Sequence, residues 1–194
     1  MITDRELWDK FKLGDDASFT SIYNVNSRKL YLYGLKLTTN RTIIEDSIQD
    51  LFLDLVRNRK KLGETDNIIF YLLRSFKRRL VRQLNKEKRY TLKDKNEEIV
   101  FDVSYSVEND IIKKENDKNK IKLLISALTK LTIRQKEAVY FRYTLEMEYS
   151  EISELLDISV ESCRNLIFRA VKSLKDSLKV NDSILLLFLK NKEY

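Results

Sequence analysis

Residues 149–178 read YSEISELLDISVESCRNLIFRAVKSLKDSL, and the spacing of their apolar positions decides the fold. Ile152, Leu155 and Leu156 fall on one face of a short helix that Ser150 can cap; Asp157 to Ser159 make a tight turn; Ser159 can cap the next helix. In that second helix Val160, Cys163, Leu166, Ile167, Ala170, Val171 and Leu174 share a face and should pack inward. Glu161, Ser162, Arg164, Asn165, Phe168 and Arg169 are left outside. Two helices joined by so short a turn have the spacing of a helix-turn-helix. An outer face that begins Glu-Ser-x-Arg-Asn suits the major groove of DNA, because carboxylate, hydroxyl, guanidinium and amide groups pair with different base edges. Periodicity alone would equally allow the solvated side of a surface helix. Cys163 reads as a small buried residue rather than a redox sensor.

Working outward, Thr132 and Gln135 form a capping box that opens a helix through Ala138, Phe141 and Leu145. Ile121, Leu124, Ile125, Leu128 and Leu131 precede it at helical spacing, so a small bundle spans residues 120–180. The first part of the chain is helical too. Leu7 and Phe11, then Phe19, Ile22 and Tyr23, then Leu30, Tyr33 and Leu37 form core stripes. Thr42 and Glu45 fit a second capping box, followed by a helix from Ile43 to Arg57 with Ile44, Ile48, Leu51, Phe52 and Leu55 inward. Lys60 to Asn67, with Gly63, reads as a loop before a helix carrying Leu73, Phe76, Leu80 and Leu84. That helix is strongly basic: between Arg74 and Arg89 eight Lys and Arg stand against Glu87 alone, a cluster that asks for a neutralising partner. Residues 91–119 alternate in charge sign and lose apolar spacing, which reads as a linker. The fold class expected is all-α, with two small helical domains, 1–90 and 120–180, and an apolar tail, 181–194.

Composition agrees. The 194 residues contain no Pro and three Gly, so few helix breakers interrupt the chain. A net charge of +7 allows a polyanionic partner without requiring one. One Cys and an N-terminus without the basic-then-apolar order of a signal peptide point to the cytoplasm. The longest apolar run, Ile184 to Leu189, falls far short of the roughly 20 residues of a membrane span. Zero His, no Gly-rich phosphate loop and no cysteine cluster argue against catalysis, a resident metal or a cofactor.

The stretch 149–178 resembles region four of sigma factors, with its Ser cap and its final Arg-Ala followed by a basic, Leu-bearing helix. The resemblance puts Ser162, Arg164, Asn165 and Arg169 where the family contacts the minus-thirty-five promoter element, with Ser159 and Glu161 at the same helix end. Residues 19–62, FTSIYNVNSRKLYLYGLKLTTNRTIIEDSIQDLFLDLVRNRKKL, resemble region two of the extracytoplasmic-function (ECF) group. Asp46, Gln49, Asp50 and Leu53 lie opposite the inner stripe of their helix. In the family this surface docks on the clamp helices of the largest polymerase subunit. The family's motif matches Asp46, Gln49, Asp50 and Phe52, although periodicity places Phe52 in the core.

The segment IIFYLLRSFKRRLVRQLNKEKR, residues 68–89, resembles regions 2.3 and 2.4, with Tyr71 where Trp is frequent. Arg78 and Arg82 stand where the family often has Asn and Asp, which puts the minus-ten base preference in question. The resemblance implies a pocket for a flipped base in the loop Lys61 to Ile69, and a basic groove supplied by Phe70, Tyr71, Arg74, Lys77, Arg78 and Arg82. Phe70 and Tyr71 also suit core positions. The partners implied are RNA polymerase core, promoter DNA and an anti-sigma factor.

Two other functions compete. A stand-alone helix-turn-helix regulator would bind a palindromic operator as a dimer. A metal-dependent nucleic-acid enzyme would use carboxylates such as Asp46 and Asp50. The Ser183 to Leu189 patch fits either a last helix packed on the second domain or a surface that docks between domains or on a regulator.

Overall fold

The structure, a computed structural model, describes residues 2–90, 101 and 125–178. Most of the linker and all of the apolar tail lie outside the described residues. Two compact units, Met1–Ile99 and Val100–Tyr194, divide the chain. Among the described residues there is no strand, and no helix is long and apolar enough to cross a membrane.

In the first unit, local polar signals mark each helix start. Thr3 and Glu6 cap α1 (Asp4–Leu13) reciprocally: the Glu6 amide donates to Thr3 Oγ1 at 3.2 Å and the Thr3 amide to Glu6 Oε2 at 2.8 Å. Gly14, at φ 102°, ends that helix in the left-handed conformation that glycine adopts without steric cost. Asp15 caps α2 (Asp16–Leu37) by accepting from the Ser18 amide at 2.8 Å. α3 is Arg41–Asn58, and its cap is Asn40, whose Oδ1 accepts from the Ile43 amide, rather than the Thr42 box expected. Asn is among the strongest caps, and its use starts the helix two residues earlier. A 3₁₀ turn, Arg59–Lys61, occupies the start of the expected loop.

α4 (Ile68–Tyr90) begins where Asp4 Oδ2 accepts from the Ile68 amide at 2.8 Å, tying α1 to α4. The core holds Trp8, Ile22, Leu30, Tyr33, Ile44 and Leu51 against Leu72, Leu73, Phe76 and Leu80, all at most 3% exposed. Each such burial stabilises the unit by roughly 1.5–3 kcal/mol. Tyr23, expected inside, is 42% exposed and lies beside Phe52 at a ring separation of 4.8 Å.

In the second unit residues 125–129 are helical, and the Thr132–Gln135 capping box opens α5 (Ile133–Val139) as expected. The expected helix through Leu145 does not stay α-helical: Tyr140–Thr144 widen into a π-turn closed by Leu145 N–H on the Tyr140 carbonyl. The N-cap of α6 (Tyr149–Leu156) is Glu148, two residues before the expected Ser150, and its amide donates to Glu151 Oε2 at 2.8 Å. The negative Glu151 in the first turn makes the better partner for the helix dipole, and Ser150 stays exposed. Phe101, within the segment read as linker, is fully buried with its ring 5.9 Å from Tyr140.

Candidate nucleic-acid interface

The helix-turn-helix is built from α6, a turn and α7 (Val160–Leu178). Asp157 takes the left-handed conformation at φ 53°, and the Ile158 amide returns to the Ser153 carbonyl at 3.0 Å, which reverses the chain within three residues. Ser159 then caps α7: its Oγ accepts from the Ser162 amide at 3.1 Å and lies 2.8 Å from Ser162 Oγ. The two serine hydroxyls therefore form one polar end on the helix. Cys163, Ile167, Ala170 and Leu174 are the buried stripe. Val160 is 37% exposed, and Leu166 and Val171 are half-buried, so the inward face is narrower than the sequence reading gave. Val160 sits in the first turn of α7.

Glu161, Ser162, Arg164, Asn165 and Arg169 are exposed, as is Ser159. Phe168 stands among them at 68% exposure, too exposed to be a packing residue. Arg164 lies over the ring of Tyr149, 5.6 Å from its centroid, and Arg142 lies over the same ring at 4.7 Å. Cys163 is fully buried, and that burial, opposed by nearby Arg142, pushes its thiol above the ordinary 9.0.

In the first unit, Asp46, Gln49, Asp50 and Leu53 are all exposed along α3, while Phe52 is 3% exposed. Asp50 faces α4, its Oδ2 3.5 Å from Arg79 Nη1, and Arg79 Nη2 pairs with Asp54. The charge of Arg79 is thus answered within the unit. Its Nε is buried without a hydrogen-bond acceptor. Ser47 Oγ donates to Gln83 Oε1 across the same two helices at 2.5 Å. Beside this face an open groove of about 910 Å³ runs between α2 and α3, lined by Tyr23, Phe52, Leu53 and Val56 with Gln49 at its edge.

Arg74, Arg78 and Arg82 are exposed on α4, and Lys77 is half-buried. Phe70 and Tyr71 are half-buried as well, and Tyr71 packs on Trp8 with ring centroids 4.8 Å apart. Desolvation pushes the Tyr71 phenol above its ordinary value, against the opposing pull of Arg78 and Arg74. The preceding loop is tied to α1 by Trp8 Nε1 donating to the Gly63 carbonyl at 2.9 Å, and by Arg5 pairing with Glu64 and Asp66.

Residues 121–174 match the family described as Sigma-70, region 4. Over that stretch the chain is similar to sigma-70 region 4. No curated protein matches the chain in sequence. Among solved structures it is similar to the sigma factor RpoE from Bartonella quintana, solved in complex with the anti-sigma factor NepR. That likeness has 16% identity and TM-score 0.59, and covers 84% of this chain and 98% of that one. It is also similar to CnrH, solved in complex with the cytosolic domain of CnrY, at 17% identity and TM-score 0.55, over 91% of this chain and 97% of that one. At such identity the likeness is one of fold, and it extends well beyond region 4 into the first unit.

Sequence reasoning placed Phe168 outside, as the structure does, without counting it among the site residues, and it missed Tyr149, Arg142 and Arg79. The Tyr149 cluster was not legible, because its three side chains meet only through the π-turn and the reversal at Asp157.

Proposed function

We infer that this chain is a sigma factor of the ECF group, a subunit that binds RNA polymerase core and directs it to promoters. The observation that carries the reading is one chain in which a region 4 reading head follows a second helical unit bearing an acidic face and a basic helix, in the fold of solved sigma factors. Residues 120–180 read the upstream promoter element through Ser159, Glu161, Ser162, Arg164, Asn165 and Arg169 in the major groove. Residues 1–90 dock on polymerase through Asp46, Gln49, Asp50 and Leu53, and the apolar groove beside them widens that surface for a protein partner. Residues 91–119 join the two.

Downstream, Arg74, Lys77, Arg78 and Arg82 hold phosphates of the opened strand, and Phe70 and Tyr71 face an unstacked base. Binding energy spent on the unpaired strand favours melting, because only that state offers the base. The work is binding throughout, with no covalent step, and its place is the cytoplasm, where polymerase acts. The solved complex of RpoE with an anti-sigma factor supports a further partner, an anti-sigma protein that holds this chain inactive.

The test is transcription from a promoter library by core polymerase with and without the protein. Protein-dependent start sites sharing upstream and downstream elements are expected. Failure to bind core, with binding to a palindromic operator instead, would sink this reading and leave the dimeric regulator.

A further inference from the structure

Arg142, Tyr149 and Arg164 come from three consecutive elements of the second unit: the π-turn, the first turn of α6 and the first turns of α7. Arg142 is fixed from several sides. Its Nη1 donates to the Met147 carbonyl at 2.7 Å, lies 3.5 Å from Glu148 Oε1, and the guanidinium covers the Tyr149 ring. Its charge is thereby answered by a carboxylate, and its flat group packs on the half-buried Tyr149 ring. Arg164 differs. It is exposed, and among the described residues its guanidinium meets the ring of Tyr149 and no carboxylate within ion-pair distance.

A guanidinium is flat, and its five N–H donors lie in its plane. Contact with an aromatic face uses the flat side and leaves the donor edge free for a base or phosphate. A long exposed arginine otherwise spreads over many rotamers, and each must be given up on binding. The Tyr149 ring therefore narrows the choice before DNA arrives.

We propose that Tyr149 is a positioning residue for Arg164 that presets the guanidinium for one base pair of the upstream element, with Arg142 bracing the ring. This rests on the reading that α7 enters the major groove. The π-turn has a role in it, because widening the helix at Tyr140–Thr144 is part of the path that brings Arg142 to the same ring as a residue 22 positions later.

The experiment is transcription by core polymerase and full-length protein from promoters randomised upstream, comparing wild type with Arg164→Ala, Tyr149→Phe, Tyr149→Leu and the Tyr149→Leu/Arg164→Ala double variant. Arg164→Ala should relax selection at one base pair by about 5- to 150-fold, the range of a good base contact. Tyr149→Leu should relax the same pair by about 2- to 5-fold, the scale of an exposed cation–π contact. Tyr149→Phe should keep wild-type selection, and the double variant should be no worse at that pair than Arg164→Ala. Tyr149→Leu lowering output equally at every promoter, or leaving the Arg164-dependent pair untouched, would overturn the positioning role and leave the reading head standing. Should Tyr149→Leu fail to fold, progressively fluorinated phenylalanines at 149 weaken the ring's attraction at nearly constant shape: stepwise loss of selection at that pair supports the role, and constant selection overturns it. Absence of any upstream selection by the wild-type protein would instead overturn the sigma-factor reading itself.

Discussion

The indole Nε1 of Trp8 donates to the carbonyl of Gly63 at 2.9 Å, joining a fully buried side chain of α1 to the loop that precedes the basic helix. Gly63 itself has open space around its Cα, so the loop depends on this bond and on its neighbours rather than on packing at the glycine. Trp8→Phe keeps an aromatic ring and deletes the donor. It should cost about 1 kcal/mol in urea unfolding followed by circular dichroism, whereas Trp8→Ala should cost about 3–5 kcal/mol. If the loop also receives a flipped base, Trp8→Phe should reduce permanganate reactivity of the opened strand more than it reduces binding of duplex upstream DNA.

Gly34 permits a close approach of three helices in the first unit. A Cβ built there would lie 2.7 Å from Ile44 Cγ2 and 3.3 Å from Phe76, at the meeting of α2, α3 and α4. Ile44 and Phe76 are fully buried, so neither can move aside cheaply. Gly34→Ala should destabilise by about 1–3 kcal/mol despite the gain in helix propensity. Trp8 is the sole tryptophan, so its fluorescence reports this unit alone. An unchanged midpoint would show that the three helices can separate at this point.

Arg79 offers a way to part docking from stability. It bridges Asp50 and Asp54, each about half exposed, and pairs of that kind are worth under about 1 kcal/mol. Asp50→Asn and Asp54→Asn should therefore shift unfolding little and by similar amounts. Core polymerase affinity should fall for Asp50→Asn and hold for Asp54→Asn, measured by titration of labelled protein. Equal affinities for the two variants would remove Asp50 from the docking face.

What the sequence disclosed and what it hid divide along physical lines. Buried stripes such as Leu73, Phe76, Leu80 and Leu84, or Cys163, Ile167, Ala170 and Leu174, repeat every three or four residues and declare themselves. Caps were legible where one candidate stood alone, as at Thr132 and Ser159. They failed where two competed within two residues, as Asn40 did with Thr42 and Glu148 with Ser150. The exposed candidates on α3 and α7 followed from the same periodicity, since whatever is not buried faces out. Contacts between distant segments left no trace: Phe101 against Tyr140, Arg79 between two carboxylates, and two arginines on one tyrosine depend on tertiary geometry that no single helix encodes.

Asp15 makes a pH-dependent contribution whose sign is fixed by its cap. Ser18 donates to the carboxylate from its hydroxyl and its amide, which holds the folded-state pKa below the ordinary 3.8. A depressed carboxylate stabilises the fold fully above the unfolded value, and that contribution fades as pH falls from about 3.8 through the folded value. Asp15→Asn keeps a capping oxygen and loses the charge. The stability gap between wild type and Asp15→Asn should be constant from pH 5 to 7 and should narrow below about pH 4. A gap independent of pH would show that the cap acts through the oxygen alone.

Cys163 should behave as an inert core residue, because its thiol is fully buried beneath α7 and burial raises its pKa above 9.0. A raised thiol pKa favours the folded state below the unfolded value, and this advantage is lost only as pH climbs through the folded value. Near neutral pH the group is thus a protonated small hydrophobe, and a thiol reagent can reach it only when the helix opens. Labelling of native protein at pH 8 should be far slower than labelling in urea, and its rate should follow the opening of the second unit. Cys163→Val should fold and keep upstream selectivity, at a cost of less than about 1.5 kcal/mol. Rapid native labelling that abolished DNA binding would reverse this assignment and make Cys163 a redox-sensitive group at the base of the recognition helix.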